Sequence, residues 1–202
     1  MYIPNEFKNE NIEVVQQFLK ENSFGILINQ TKGKLTGTHI PMLLEKNELG
    51  KDVLTGHISK LNPQWKNLNP GEEVLAIFNG PHGYVSSSWY EKENVPTWNY
   101  IAVHVYGNIK IVEGKELHQI LKRLVDKYEV NSENPVKVEN MAPHLLKYMD
   151  DIVGFSIQIT AVQAAYKLSQ NRTEKDYHQI IHKLEDQNSD VADEMKKIKK
   201  SL

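Results

Sequence analysis

The chain has 202 residues, of which 40% are hydrophobic and 25% are charged, so one globular domain with a sizeable core can form. Its formal net charge is −2, which excludes a strong overall attraction to nucleic acid or to an anionic membrane. It has no cysteine, which excludes disulfides, thiolate metal sites and a cysteine nucleophile. It shows neither a secretory leader nor an apolar run of about 20 residues, so we expect a cytoplasmic protein with no membrane partner.

Hydrophobic periodicity predicts a helix followed by a series of strands in the first half of the chain. Residues 11–20 place Val14, Val15, Phe18 and Leu19 on one side of a helix. After this segment the period shortens, and turn residues separate runs that are rich in β-branched and aromatic residues. These runs predict strands at 24–29, 35–45, 53–59, 72–80 and 97–113.

The segment Gly80–Tyr100 interrupts this pattern. Its sequence, GPHGYVSSSWYEKENVPTWNY, holds two of the three tryptophans and several tyrosines. Gly80, Pro81, Gly83 and Pro96 predict turns here rather than long regular elements.

The second half of the chain combines helices with one long strand. Apolar residues at helical spacing mark the helices, whereas Gly154 and the alternation of Ile157 and Ile159 favour a strand. The predicted elements are a helix at 115–128, a short helix at 143–149, a strand at 152–169 and a helix from Thr173, followed by a charged and weakly amphipathic segment.

The order of these elements predicts a mainly antiparallel β fold with peripheral helices, of the α+β class. Most predicted strands follow one another at hairpin separations, which argues for an antiparallel sheet or barrel. A division into one domain of residues 1–172 and a C-terminal helical appendage of residues 173–202 fits this order. We expect the last helix to be one that the barrel does not need.

The motifs of the common phosphate loops and of the serine hydrolase elbow are absent from the sequence. His178 and His182 lie four residues apart on one side of a predicted helix, which is a spacing that suits two metal ligands. No third ligand is evident, and both residues flank an apolar stripe, so the sequence predicts no metal site.

Three polar segments at the ends of strands are candidates for holding a small anionic ligand. Two are TGTHIPMLLE and TGHISKLNPQW, where polar side chains cluster as a strand ends. The third is KLSQNR, where Lys167 and Arg172 precede a helix start whose free amides suit an anion. Ordinary polar turns and a capped helix start explain the same segments, so both interpretations stay open.

Several long stretches, in the same order, resemble the signature stretches of the PaiB family. They are MYIPNEF, THIP, GHISKLNPQW, AIFNGPHGYVSSSWY, VPTWNYIAVHVYG and KLSQNR, and they run from Met1 to about Arg172. Proteins of this family are described as negative transcriptional regulators linked to protease synthesis and sporulation. The resemblance implies an FMN-binding split β-barrel that works as a homodimer, with cofactor sites at the subunit interface.

The resemblance also implies which residues bind FMN. In related split-barrel flavoproteins, basic and hydroxyl side chains on two adjacent strands hold the phosphate, and the matching residues here are Thr38, His39, Pro41, His57, Ser59, Lys60 and Asn62. Many family members have ARANP where this chain has SKLNP, so Lys60 keeps the charge but lacks the guanidinium fork. The other expected cofactor-binding residues are Trp89, Trp98, Lys167, Gln170 and Arg172.

A flavin site gives one explanation for the aromatic residues of Gly80–Tyr100. The isoalloxazine ring is a large flat aromatic with polar edges, and a dimer interface also favours Trp and Tyr. The alternative is that Trp89 and Trp98 simply pack the loop onto the core.

Three functions remain open at this point, and we expect a regulator rather than an enzyme. The first is an FMN-binding negative transcriptional regulator of protease and sporulation genes, whose further partner is DNA, bound directly or through a protein. The second is a flavin-dependent oxidoreductase, because the same barrel carries many such enzymes. The third is a dimeric module that binds another small molecule. The only basic cluster, KKIKK at 196–200, is typical of a solvated terminal face, which argues against strong intrinsic DNA binding.

Overall fold

Six strands form the centre of the fold. The computed structural model describes residues 1–199, so Lys200 of the KKIKK segment lies outside the described residues. The strands close into a barrel in the order β1-β2-β3-β6-β5-β4, which confirms the predicted antiparallel β fold with peripheral helices. Their bounds are β1 Phe24–Thr31, β2 Lys34–Lys46, β3 Asp52–Ser59, β4 Glu73–Val85, β5 Thr97–Val112 and β6 Ile152–Lys167.

Helices precede β1, separate β5 from β6 and follow β6. The predicted helices at 11–20 and 115–128 are present within one residue of their expected ends. No helix of the described residues is long and apolar enough to cross a membrane. The bounds are α1 Ile12–Glu21, α2 Gly114–Glu129, α3 Pro143–Leu146, α4 Glu174–Glu185 and α5 Val191–Lys199.

A two-residue turn joins β1 to β2. Lys32 and Gly33 both have positive φ, at 51° and 81°, which is the backbone of a type I′ hairpin turn. The register that follows pairs Leu27 with Thr38 and Phe24 with Pro41. This turn therefore sets which face of β2 presents Thr38.

The chain forms two compact units, each with its own buried core. Unit 1 comprises Met1–Phe18, Phe78–His104 and the chain from Gln163 onward, and unit 2 comprises Leu19–Ile77 and Val105–Val162. Alternating side chains of the strands supply much of each core, as the period of two predicts. The core of unit 1 includes Phe78, Ile101, Val103, Leu168, Ile180 and Met195, and that of unit 2 includes Leu27, Met42, Leu54, Ile58, Phe155 and Ile157.

Strand β4 shows that the prediction of turns was wrong for Gly80, Pro81 and Gly83, whereas residues 86–96 form no long regular element, as predicted. The strand continues through Gly80 and Gly83 to Val85. A Cβ atom at Gly80 would lie 2.7 Å from Phe18 Cε2, which is too short for a real Cβ, and 3.1 Å from Ile101 Cβ, which is an unusually tight contact. The glycine is therefore required by close packing inside a strand, and not by a turn.

The C-terminal helices are packed, which corrects the expectation that the barrel does not need the last helix. Val191, Ala192 and Met195 of α5 are buried. Tyr177 of α4 donates a hydrogen bond from its hydroxyl to the Met195 carbonyl oxygen (2.7 Å), and burial raises the pKa of Tyr177 to about 12. The domain boundary at residue 172 stays a prediction, but removal of α5 would expose apolar side chains to water.

Candidate functional site

The segments THIP and GHISKLNPQW meet in unit 2 through side-chain hydrogen bonds. The Asn62 amide donates to Thr38 Oγ1 (2.8 Å), and the Thr38 hydroxyl donates to Gln64 Oε1. Asn62 Oδ1 also accepts from the Gln64 backbone N–H (2.9 Å) and so caps the short 3-10 helix Pro63–Asn67. Thr38 and Asn62 therefore hold two predicted cofactor-binding segments together.

Gln64 is the centre of this network, although the sequence did not mark it as a cofactor-binding residue. Its side chain is fully buried, and Nε2 donates to the Leu27 carbonyl oxygen (3.0 Å) and to Asn29 Oδ1 (3.1 Å). A buried amide with several partners fixes the positions of the groups around it. The one signal in the sequence is Pro63, which starts a helical turn after the Asn62 cap.

The other predicted residues of unit 2 differ in exposure. His39, Ser59 and Lys60 are exposed, whereas Pro41 and His57 are half-buried. Burial lowers the pKa of His57, and within the described residues its buried Nδ1 has no hydrogen-bond partner. The end of β3 therefore presents a hydroxyl and an ammonium group to solvent, with a neutral imidazole behind them.

Unit 1 brings the segments VPTWNY and KLSQNR together. Lys167 Nζ donates to the Trp98 carbonyl oxygen (2.9 Å) and to the Thr97 hydroxyl. Ser169, which adopts a positive φ of 64°, donates from its hydroxyl to Asn99 Oδ1 (2.9 Å). These contacts fix Lys167 beside the start of β5.

The segment SSSWY joins the same region through Arg172. The guanidinium carbon of Arg172 lies over the Tyr90 ring, 4.7 Å from its centre, which is a cation–π contact. Burial lowers the pKa of Lys167, and the positive charge of Arg172 lowers this pKa further. Arg172 and Lys167 are therefore electrostatic neighbours.

Gln170 shapes the turn that carries these cations. Its Oε1 accepts from the Leu168 backbone N–H (2.8 Å), and its Nε2 donates to the Tyr166 carbonyl oxygen. The side chain is thus bonded to its own segment on both sides. Such bonds stabilise a turn, so Gln170 has a structural explanation beside the predicted cofactor role.

Both predicted tryptophans reach the surface of unit 1. Trp89 is half-buried and Trp98 is 53% exposed. The rings of His82 and Tyr84 each lie with their centres 6.1 Å from the Trp98 ring. His82 and Tyr84 belong to the continuation of β4. An exposed cluster of aromatic rings suits contact with a flat aromatic ligand or a protein partner.

The two histidines at helical spacing have carboxylate neighbours. His178 Nε2 lies 3.7 Å from Glu174 Oε1, and His182 Nδ1 lies 3.7 Å from Glu185 Oε2. Over residues 1–199 we find no group of three or more side chains placed to hold a metal ion.

The chemistry of these groups fits FMN. A phosphate requires cations and hydrogen-bond donors, which Lys60 offers in unit 2 and Lys167 and Arg172 offer in unit 1. The buried Nε of Arg172 has no acceptor among the described residues, so this donor is left unsatisfied within the chain. An isoalloxazine ring requires aromatic surface, which Trp98 and its neighbours offer.

Comparison with known proteins agrees with this fit. A family model described as "Putative FMN-binding domain" matches residues 1–161. The chain is 45% identical over 196 residues to "Protease synthase and sporulation protein PAI 2" of Bacillus subtilis (strain 168), covering 96% of this chain and 94% of that protein.

Solved structures with low sequence identity share the fold. The flavocytochrome Anf3 of Azotobacter vinelandii superposes with a TM-score of 0.62 at 16% identity, over 85% of this chain and 75% of that chain. The FAD and heme binding protein of Mycobacterium smegmatis gives a TM-score of 0.63 at 13% identity, over 85% and 78% of the two chains. The chain belongs to the PaiB family of FMN-binding split-barrel proteins, and the cofactor of that family is FMN.

Proposed function

We propose that this protein is a cytoplasmic, homodimeric FMN-binding regulator that lowers the transcription of protease and sporulation genes. The observation that carries the proposal is the match to the Bacillus subtilis relative, which extends over 96% of the chain and so reaches well beyond the 161 residues that the family model matches. That relative is named for protease synthase and sporulation. A match over nearly the whole of both chains favours a shared role more strongly than a shared barrel would.

FMN contributes a redox-active aromatic ring and a dianionic phosphate when it is bound. The side chains of this chain would hold both parts. Two sets of side chains would suit the phosphate, each within its own unit: Lys60 with the Ser59 hydroxyl in unit 2, and Lys167 with Arg172 in unit 1. Trp98, with His82 and Tyr84 beside it, supplies aromatic surface for the ring.

The outer face of unit 2 supports the homodimer. Leu27 and Ala76, which are paired across β1 and β4, are fully buried. The neighbouring pair of Ile26 and Ile77 points to the opposite face, because side chains alternate along a strand. Phe24 on the same strand is 62% exposed. Such an apolar sheet face is suited to a second copy of the chain.

The charges of α5 favour a protein partner over direct contact with DNA. Lys196 pairs with Glu185 and Asp193, and Lys197 pairs with Glu194 (2.7 Å). A lysine that is paired with a carboxylate offers less net charge to a phosphate backbone. We therefore infer that the protein affects transcription indirectly, by binding another protein in its FMN-loaded, dimeric form.

The purified protein tests this proposal directly. We expect it to carry flavin absorption bands, or to acquire them when FMN is added to the apoprotein. We also expect that NADH and NADPH do not reduce the bound flavin at a catalytic rate. Absence of flavin binding would contradict the proposal, and rapid, repeated reduction would instead indicate a flavin-dependent oxidoreductase.

A further inference from the structure

Tyr90 and Arg172 form a cation–π pair in unit 1 that leaves two donors without acceptors. Tyr90 follows the 3-10 helix Ser87–Trp89 and is 8% exposed, while Arg172 lies just before the Thr173 cap of α4. The Tyr90 hydroxyl and the Arg172 Nε are both buried, and neither has a hydrogen-bond partner in the part of the chain that is described. Buried donors are almost always paired in folded proteins, so an acceptor from outside the chain is expected here.

The charge around this pair indicates what kind of acceptor it is. Lys167 uses two of its three N–H groups on neutral oxygens, the Trp98 carbonyl and the Thr97 hydroxyl. Among residues 1–199, no carboxylate lies within ion-pair distance of Lys167 or Arg172. Two neighbouring cations without a counter-charge favour an anion with several acceptor oxygens.

We propose that Tyr90, Lys167 and Arg172, here called the donor cluster, bind the phosphate of FMN and make the protein select FMN over riboflavin. Tyr90 is not among the twelve cofactor-binding residues predicted from the sequence. Its hydroxyl and the Arg172 Nε–H donate to phosphate oxygens, and Lys167 adds charge. The proposal rests on the proposed function, because it takes FMN as the ligand.

Binding of FMN and riboflavin to four protein forms tests the donor cluster. The two ligands differ only by the phosphate, so a group that contacts phosphate affects FMN alone. For Tyr90→Phe and Arg172→Lys we expect the Kd for FMN to rise about tenfold, and for Arg172→Gln about a hundredfold, as charge-assisted hydrogen bonds are lost. The Kd for riboflavin stays at the wild-type value in all of them.

Lys175→Ala is the matched control. Lys175 is an exposed cation close by in sequence that already pairs with Glu91, so its removal leaves both affinities unchanged. Circular dichroism and urea unfolding of each variant show that it is folded. Arg172→Lys keeps the positive charge, so a loss in this variant isolates the guanidinium fork from simple attraction.

The outcomes separate the donor cluster from the proposed function. If the wild type binds FMN and Tyr90→Phe binds it equally well, the Tyr90 hydroxyl does not donate a hydrogen bond to the phosphate, and the inference is overturned. Equal losses for both flavins would overturn it as well, because they indicate a role in the fold. If the wild type binds no flavin, the proposed function fails, and inorganic phosphate then tests the cluster alone. Stabilisation of the wild type by phosphate that is lost in Arg172→Gln supports an anion site, and no stabilisation overturns it.

Discussion

At the scale of single residues, Lys60 combines a fixed backbone with an available charge. Its backbone N–H donates to the Asp151 carbonyl oxygen (2.8 Å), and its carbonyl oxygen accepts from Trp65 Nε1 (2.8 Å). The side chain is exposed and, across the described residues, makes no ion pair. A substitution here removes the ammonium group and leaves both backbone contacts possible.

Lys60→Ala should weaken the binding of FMN and leave the binding of riboflavin unchanged. A charge-assisted contact to phosphate contributes roughly 1.5–3 kcal/mol, which corresponds to about a tenfold to a hundredfold change in affinity. Fluorescence titration of both flavins measures the effect, with Lys66→Ala as the control on an exposed lysine of the next helical turn. Equal losses for the two ligands would mean that Lys60 acts on the fold.

His57 couples stability to pH. Burial lowers its pKa in the folded protein, so the unfolded chain takes up this proton at a higher pH than the folded chain. Below the unfolded pKa the unfolded state therefore binds more protons, and the free energy of unfolding decreases as the pH falls towards the lower folded pKa. His104 has the same sign, because burial and, to a lesser degree, the charge of the Met1 amino group lower its pKa.

His57→Gln should make stability less dependent on pH. We expect urea unfolding between about pH 5 and about pH 8 to show a shallower decrease at the acid end than in the wild type. His182→Gln is the matched control, because that side chain is 83% exposed. An unchanged acid slope in His57→Gln would show that the buried imidazole does not contribute.

At the scale of elements, β4 depends on close packing at one of its two glycines. A Cβ at Gly80 would lie 2.7 Å from Phe18 Cε2, whereas a Cβ at Gly83 would lie no closer than 3.5 Å to Leu184 Cδ2. Neither glycine has a positive φ, so only space distinguishes them. The ring of Phe18, on helix α1, occupies the space that a side chain at position 80 would need.

Gly80→Ala should lower the free energy of unfolding by about 1–3 kcal/mol, the usual cost of overpacking a core. Gly83→Ala, three residues further along the same strand, should be nearly neutral, because its new methyl group makes ordinary contacts. Urea unfolding followed by circular dichroism measures both. Equal stability of the two variants would show that α1 moves aside at little cost.

The strands and helices could largely be predicted from the sequence because their hydrophobic periods are local signals. The continuation of β4 could not, because glycine and proline usually mark turns, and the contact of Gly80 with Phe18 is not visible locally. The same holds for the site. The sequence shows that Thr38 and Asn62 are polar. It does not show the hydrogen bond between them, because that bond depends on how segments distant in sequence pack together. The twelve predicted cofactor-binding residues remain predictions.

At the scale of the whole molecule, the apolar outer face of unit 2 predicts a dimer. Light scattering should give twice the mass of the chain. Ile77→Glu places a charge opposite Ile26 on this face and should shift the protein towards the monomer, because a buried charge at an interface is costly. Lys51→Glu, in the exposed turn before β3, is the control. A wild-type monomer at micromolar concentration would contradict the dimer.

The dimer variant also tests where the cofactor binds. If the FMN site requires the interface, Ile77→Glu loses FMN affinity in proportion to its monomer fraction. If each chain binds FMN by itself, Ile77→Glu keeps the wild-type affinity for FMN although its molecular mass is half that of the dimer. Either result is read from titrations at two protein concentrations.

Whether the protein contacts DNA is decided by the charge on α5. Truncation before α5 is a poor test, because it removes the buried Val191, Ala192 and Met195 and damages a core. Substitution of Lys196 and Lys197 by Gln changes charge without removing the apolar side of the helix.

We expect the full-length protein to bind no DNA above background at physiological salt. The net charge is −2, and the two lysines are already paired with carboxylates. If the protein did bind through this helix, its affinity would rest on phosphate contacts and would fall steeply with added salt, and Lys196→Gln/Lys197→Gln would reduce both the affinity and the salt dependence. Gel-shift titrations of the FMN-loaded wild type and of the double variant at two salt concentrations distinguish these cases. Salt-resistant, sequence-specific binding that the double variant keeps would contradict the proposal that a protein partner carries the signal to transcription, because the protein would then read DNA by itself through another surface.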